Sequence, residues 1–407
     1  MTDDGTADAI VLGGGLVGLT LAVALDAHGL TTIVVDPADP AATLAAGFDG
    51  RASAIASASW RMLEAIGIAP RLDGQGCAIG AIHVADGLGG KPLVFRADAA
   101  GGPLGHMFEN RAIRHALRAA AEAAPGVTLW RGTPAETERT SAGVTVTLGD
   151  GRVARAPLVV GAEGRRSPTR DAAGLHPARW SYDHVALIAA IGHEKPHGGV
   201  AHEIFYPAGP FALLPLVDDA EGPRSALVWT VAAKDAPAML GLPDRAFLAE
   251  ADKRMGGLLG SLRSASPRSS YPLGFHHTTR IVAERLALVG DAAHGIHPIA
   301  GQGLNLGLRD VAALTQVLAE GVRLGLDTGD AQLLARYERW RAVDGLLVAS
   351  VTDGLTRLFG LPGRGPRAVR RFGLGIVART PPLTRGFMAE ARGETGALPR
   401  LLQGELA

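Results

Sequence analysis

A glycine-rich hexapeptide, Gly13-Gly14-Gly15-Leu16-Val17-Gly18, does most to limit what this chain can fold into. It follows a short apolar run, Ala9–Leu12, which predicts a strand buried on both faces of a parallel sheet. It opens the segment Leu16–His28, which predicts a helix stopped by Gly29. A β-branched strand, Thr32–Val35, follows and ends at Asp36-Pro37. The result is one βαβ unit with G-x-G-x-x-G at its first turn. Gly13 permits the tight turn, Gly15 lets a pyrophosphate approach the backbone, and Gly18 lets the helix pack on the strand. The helix N-terminus adds orphan N–H donors and a partial positive charge. Asp36, at the end of the second strand, can accept hydrogen bonds from ribose hydroxyls. The pattern predicts dinucleotide binding but does not by itself separate NAD from FAD.

The rest of the chain continues this grain and then departs from it. Ser57–Ile66 and Asn110–Ala124 predict helices, with a hairpin-like stretch between them at Ala81–Val84 and Leu93–Phe95. Val127–Trp130, Val144–Thr147, Val153–Ala154 and Leu158–Val160 read as strands. From about Trp180 to Tyr271 short alternating runs predict an antiparallel sheet: His184–Ala189, His202–Tyr206, Phe211–Leu216 and Ser225–Val231. One helix, Asp244–Met255, interrupts them. Helix-and-parallel-strand grain returns at Leu286–Val289 and in a long helix over Leu304–Glu320; after Asp330 the chain reads as helical to its end. An α/β nucleotide domain is therefore expected to be interrupted by a β-rich insertion, with a helical tail appended. The seam between such units is a favoured place for a site.

Composition narrows the partners. Forty basic and 40 acidic side chains give a formal net charge of zero, which argues against a polyanion such as nucleic acid. The lone Cys77 excludes a disulfide framework and a cysteine-based zinc site, and fits a reducing cytosol. The acidic start, Met1-Thr2-Asp3-Asp4, is unlike a signal or transit peptide. The longest uncharged apolar run, Ile10–Leu25, is broken by glycines and short for a membrane span.

A second motif decides the cofactor. Leu286–Val289 leads into Gly290-Asp291-Ala292-Ala293-His294, then His297-Pro298-Ile299-Ala300-Gly301-Gln302-Gly303-Leu304-Asn305-Leu306-Gly307, and a helix containing Asp310. A carboxylate leaving a strand end suits a hydroxylated linker such as ribityl, and a second helix N-terminus suits anionic oxygens or an electron-rich ring. The run from His297 to Asp310 resembles the signature of the ubiquinone-biosynthesis hydroxylases, which belong to the FAD-dependent aromatic monooxygenases similar to para-hydroxybenzoate hydroxylase. Asp49-Gly50-Arg51-Ala52-Ser53 resembles the family's arginine loop, and Glu109-Asn110-Arg111-x-x-Arg114 its helix start near the flavin. Phe205-Tyr206-Pro207-x-Gly209-Pro210-Phe211 and Leu227-Val228-Trp229-Thr230 resemble its substrate-domain strands. One position departs: Ala162-Glu163-Gly164 carries Glu163 where the family has aspartate, with Arg170 in the place of its closing arginine.

The resemblance implies an α/β fold with a Rossmann-like FAD-binding domain (residues 1–75, 101–178 and 275–345), an inserted antiparallel-sheet substrate domain (76–100 and 179–274) and a helical C-terminal region (346–407). It implies that Gly13, Gly15, Leu16, Val17 and Gly18 hold the pyrophosphate and Asp36 the adenosine ribose. Arg51 and Asn110 or Arg111 would contact the phosphates and ribityl, and Asp291 the ribityl chain. Gly301, Gly303, Leu304 and Asn305 would lie along the isoalloxazine, with Pro298 on the substrate side of the ring. Asp291, His294 and His297 invite a metal reading, but Pro298 and two glycine turns scatter their directions, so no metal is expected. His294 is a candidate either for proton handling or for a structural place behind the site. Phe205, Tyr206, Phe211, Leu214 and Trp229 are sheet core, some of them lining a pocket. No partner is evident for His193, His202, His276 or His277.

The reaction implied is hydroxylation of a phenol by dioxygen through a flavin hydroperoxide. NAD(P)H or a protein electron donor would serve as reductant, since only one strong dinucleotide fingerprint is present. Alternatives are another aromatic substrate, or a flavin oxidase or dehydrogenase. Family members act on polyprenylated phenols, so a cytoplasmic protein, peripheral at the inner face of the membrane or bound to other quinone-pathway proteins, is expected. The basic, apolar stretch Arg357–Arg379 either lies on such a surface or packs on its own domain.

Overall fold

The computed structural model describes residues 5–45, 47–48, 50–97, 101–295, 302–342 and 379–406. Ala9–Leu12 lies inside a six-stranded sheet in the order Val282–Ala283, Leu286–Leu288, Leu158–Gly161, Ala9–Leu12, Thr32–Asp36, Val127–Arg131. Its pairings are parallel except at the edge, where Val282–Ala283 and Leu286–Leu288 run antiparallel. All four residues of Ala9–Leu12 are buried, as expected of a strand covered on both faces. The helices Leu16–Asp26, Asn110–Ala123 and Gln302–Arg323 contribute to the same apolar core.

The larger sheet has nine strands. In order they are His294–Gly295, Ser269–Thr278, Pro177–His193, Gly222–Ala232, Gly209–Asp219, Val200–Tyr206, Ala81–Asp86 and Leu93–Arg96, with Leu262–Ser264 paired to Pro177–His193 off this path. It is antiparallel except that Val200–Tyr206 runs parallel to Ala81–Asp86, a junction between segments far apart in the chain. Alternation along each strand gives the sheet two apolar faces. One carries Leu187, Ile191, Phe211, Leu213, Leu227 and Trp229 beside Phe247, Ala251 and Met255 of the helix Asp244–Met255. The other carries Ala190, Ala201, Leu216 and Ala226, which pack with Ile79, Leu104 and Met107. A small sheet of Ala52–Ala56, Gly105–Glu109 and Gly76–Ala78 supplies Met107, Ala52, Ala54 and Cys77 to that second cluster.

Several boundaries differ from the sequence reading. The first helix ends at Asp26, and Gly29, at φ +79°, donates to the Asp26 carbonyl. The strand Ser269–Thr278 continues past residue 274, because it pairs along Pro177–His193 on both sides of a register shift between Ser181 and Val185. The C-terminal part is not helical throughout: between the helices Pro381–Ala391 and Arg400–Gln403, Gly393 and Gly396 take φ of +72° and +75°, which ends a right-handed helix. Of the basic tail stretch only Arg379 lies among the described residues.

Candidate cofactor and active site

The glycine-rich turn is built from backbone contacts. The Gly13 N–H donates to the Val35 carbonyl at 2.8 Å, and Gly13 sits at φ +106°. A Cβ on Gly13 would lie 2.5 Å from the Ala162 carbonyl oxygen, and one on Gly18 1.9 Å from the Gly13 oxygen. Gly13 and Gly18 are thus required for the chain to close on itself. Gly15 differs: nothing lies within 4 Å of its would-be side chain, and it caps the first helix without any side-chain hydrogen bond. That leaves orphan N–H donors facing open space, the arrangement a pyrophosphate needs. The Asp36 carboxylate accepts from the N–H groups of Gly14 (2.5 Å) and Ala38 (2.7 Å), which fixes it beside the turn. Leu16 packs against the core, so its part in the turn is made by its backbone.

Val17 joins the other two glycine motifs to this one. A Cβ on Gly290 would meet its Cγ2 at 3.1 Å, and a Cβ on Gly307 would meet it at 2.7 Å. The side chain therefore sits between the Gly-Asp turn and the long helix Gln302–Arg323. Gly303, one turn earlier on that helix, has nothing within 4 Å. Leu304 turns inward and lines a small apolar void with Leu16, Thr20, Ile55 and Ile113. Asn305 is buried: its Nδ2 donates to the Ala54 carbonyl and its Oδ1 accepts from the Ala56 N–H, both at 2.9 Å. It clasps the strand that follows Arg51.

Behind the Gly-Asp turn lies a buried ionic group. Asp310 is fully buried and accepts from the Gly290 N–H at 2.8 Å, His294 Nε2 at 3.0 Å and Arg341 Nε at 2.6 Å. Burial pushes its carboxyl upward, but His294 and Arg341 outweigh that and hold it below the usual carboxylate range. His294, a candidate for proton handling, has its Nε2 committed to this group, and its ring is stacked on His277. His276 donates from Nε2 to the Asp291 carbonyl at 2.7 Å. The Asp291 side chain makes none of these bonds. Its carboxyl is raised by burial, with Arg165 acting in the opposite sense.

The arginine loop and helix start meet nearby. The Asn110 N–H donates to the Arg51 carbonyl at 3.0 Å, and the Asn110 Oδ1 accepts from Ser53 Oγ at 2.7 Å. Arg51 is exposed. Arg111 pairs with Glu109 at 3.1 Å, and Glu109 also holds Arg224 of the large sheet at 2.6 Å. That second pair, between residues 115 positions apart, bridges the small sheet to the large one. Glu163 turns back into its own loop, accepting from Ser167 Oγ at 2.6 Å and from the Thr169 hydroxyl. Its extra methylene serves this reach. Arg170 is buried and ties the Arg165 carbonyl to that of Ala292, joining the loop to the Gly-Asp turn. His297, Pro298 and Gly301 lie outside the described residues.

Sequence reasoning missed the partners of Asp310, the Glu109–Arg224 pair and the inward turn of Glu163, each of which joins residues far apart in the chain or within a loop.

Residues 6–348 match a family described as FAD binding domain. The chain is 46% identical to the ubiquinone hydroxylase UbiL of Rhodospirillum rubrum, over 98% of this chain and 94% of that protein. This chain belongs to the ubiquinone-biosynthesis hydroxylase family of FAD-dependent aromatic monooxygenases. It is also 34% identical to the 3-demethoxyubiquinol 3-hydroxylase of Escherichia coli, over 97% of this chain and all of that one. The crystal structure of p-nitrophenol 4-monooxygenase PnpA from Pseudomonas putida shares the fold, with a TM-score of 0.78 at 19% identity over 96% of this chain and 98% of that one. The residues of this monooxygenase fit FAD: the open faces of Gly15 and Gly303 and the fixed Asp36 carboxylate leave a cradle that side chains would fill.

Proposed function

We propose that this enzyme hydroxylates the aromatic ring of a polyprenyl phenol in ubiquinone biosynthesis. The observation that carries the reading is the near full-length 46% identity to a ubiquinone hydroxylase. FAD, when bound, supplies the activation of dioxygen. The protein's part is to bind, orient and exclude water. Gly13, Gly15 and Gly18 shape the turn for the pyrophosphate, Asp36 takes the adenosine ribose, and Asp291 takes the ribityl chain. Arg51, Asn110 and Arg111 frame the opposite side. Leu16, Val17, Leu304 and Asn305 act by packing and by clasping the arginine-loop strand, which holds Gly15 and Gly303 open toward the cofactor. Pro298 and Gly301 are assigned to the ring itself, and His294 to holding the Gly-Asp turn through Asp310.

The six-stranded sheet with its helices is read as the FAD domain and the nine-stranded sheet as the substrate domain. Electrons come from NAD(P)H or a protein donor. A polyprenyl substrate partitions into membranes, and no helix among the described residues is long and apolar enough to cross one. The enzyme therefore meets its substrate at a membrane surface or within a complex of quinone-pathway proteins.

The test is genetic and chemical. Deleting the gene should stop ubiquinone synthesis and accumulate a prenylated phenol lacking one hydroxyl; unchanged quinone would shift the reading to another aromatic substrate. Asp291→Ala should lower the FAD content of the purified protein, and full FAD retention would refute its ribityl role.

A further inference from the structure

Glu203 stands in the strand Val200–Tyr206, between Ala201 and Phe205 on the same face. Ala201 packs with Ala190, Leu216, Ala226, Ile79 and Met107, so this face is turned toward the small sheet that carries Ala52 and Ala54. The backbone of Ala54 and Ala56 is in turn clasped by Asn305 from the cofactor side. Glu203 is thus on the sheet face nearest the arginine-loop strand. It is 7% exposed, and its neighbours across the ladder are Val84 and Ala212.

Among the described residues its carboxylate has no hydrogen bond or ion pair. The charged groups on this face include Asp86, beyond Val84 on the neighbouring strand, Arg224, which is paired with Glu109, and Arg263, which lies over Gly192 and is paired with Asp219. His202 and His83 point to the opposite face, where their rings meet at 5.2 Å. Burial alone pushes the Glu203 carboxyl up to about 7. A buried acid without a partner costs stability unless a bound group completes it.

We propose that Glu203 binds the ring hydroxyl of the phenolic substrate as hydrogen-bond acceptor and takes its proton. The O–H bond of the phenol breaks, the proton moves to a Glu203 oxygen, and the electron pair stays on the phenolic oxygen, enriching the ring toward hydroxylation. The inference rests on the phenol reading above and adds the residue that recognises it.

The test uses FAD-loaded enzyme and two probes, a short-chain 2-prenylphenol and its O-methyl ether. Dissociation constants are measured by calorimetry, and hydroxylation is followed by product analysis. Wild type should prefer the phenol by roughly tenfold or more, as a charge-assisted hydrogen bond implies. Glu203→Leu should bind both probes alike. Glu203→Gln should lower kcat for the phenol by about 100-fold or more, with Glu203→Asp recovering part of it. Because an acid with a raised folded value destabilises the protein once it ionises, Glu203→Gln should melt at or above wild type at pH 8. A structural role predicts the reverse. If wild type hydroxylates the phenol and Glu203→Leu keeps the full phenol preference, the assignment of Glu203 is overturned. If wild type discriminates neither probe and hydroxylates neither, the phenol reading itself fails, and this proposal with it.

Discussion

Adding one methyl group at Gly307 should loosen the joint between three glycine motifs. The new Cβ would stand 2.7 Å from Val17 Cγ2 and 3.2 Å from the Gly290 Cα. Comfortable carbon contacts are about 3.5–4.0 Å, so the first gap falls short by about an ångström. Val17 is β-branched and stiff at χ1, and its helix is pinned to the central strand, so relief must come from moving the long helix off the Gly-Asp turn. Overpacking of this kind costs about 1–3 kcal/mol. Alanine regains up to about 1 kcal/mol of helix propensity, leaving a net loss of about 1–2 kcal/mol for Gly307→Ala. Gly303→Ala, on the same helix one turn earlier, meets nothing within 4 Å. It should leave the apoprotein equally stable or firmer by up to about 1 kcal/mol, yet weaken FAD binding about tenfold, or 1.4 kcal/mol. Urea unfolding of the apoproteins by circular dichroism, with FAD titration by fluorescence, reads both effects. Val17→Ala placed on Gly307→Ala should show a favourable coupling of about 1 kcal/mol. If Gly307→Ala is as stable as wild type, or the coupling is absent, the argument that Val17 wedges the motifs together is wrong.

Asp310→Asn should destabilise by about 3–5 kcal/mol, since it breaks the buried ion pair between Asp310 and Arg341. The Asp310 carboxyl is held below its ordinary value of 3.8, so its contribution is present in full above about pH 4 and is lost as pH falls further; the stability gap between wild type and variant should be flat from pH 8 to 5 and close in stronger acid. Glu163→Asp restores the residue the family has there, but shortens the reach to Thr169; a loss of about 1 kcal/mol in thermal unfolding is expected, and an unchanged melting temperature would show that the Thr169 contact contributes nothing. Arg224→Ala should leave Glu109 buried beside a single exposed arginine and cost about 1–3 kcal/mol, read by the same melt.

What could be read from sequence was whatever acts through local backbone geometry. Gly13, Gly15 and Gly18 announce their turn because spacing alone dictates which backbone positions must be bare, and the alternation of Phe211, Leu213 and Trp229 shows in the residues themselves. The two faces of the large sheet could not be told apart, because which side meets the helix Asp244–Met255 is decided by packing: Phe211 and Trp229 went to that side. Asp310 was visible as part of a motif, but its meaning lies in Arg341, a full 31 residues later. Glu163 looked like a departure at the cofactor; only the geometry shows it bonded to its own loop. Glu203 gave no signal at all, since an acidic residue in an alternating strand normally faces water.

The neighbours of the central strand have a consequence for how the enzyme is made. Ala9–Leu12 leaves the ribosome well before its parallel partner Leu158–Gly161 and before the next strand out, Leu286–Leu288. The helix that brings Gly303 and Gly307 to the turn ends only at Arg323. At about 5–20 residues per second the nascent chain spends on the order of half a minute with its glycine turn exposed and its second and third walls unmade. Such distant pairings close slowly. FAD uptake therefore cannot guide early folding; it is a late, maturation-like event, and shortage of the vitamin from which FAD is made would trap a nearly complete apoprotein, not an early fragment.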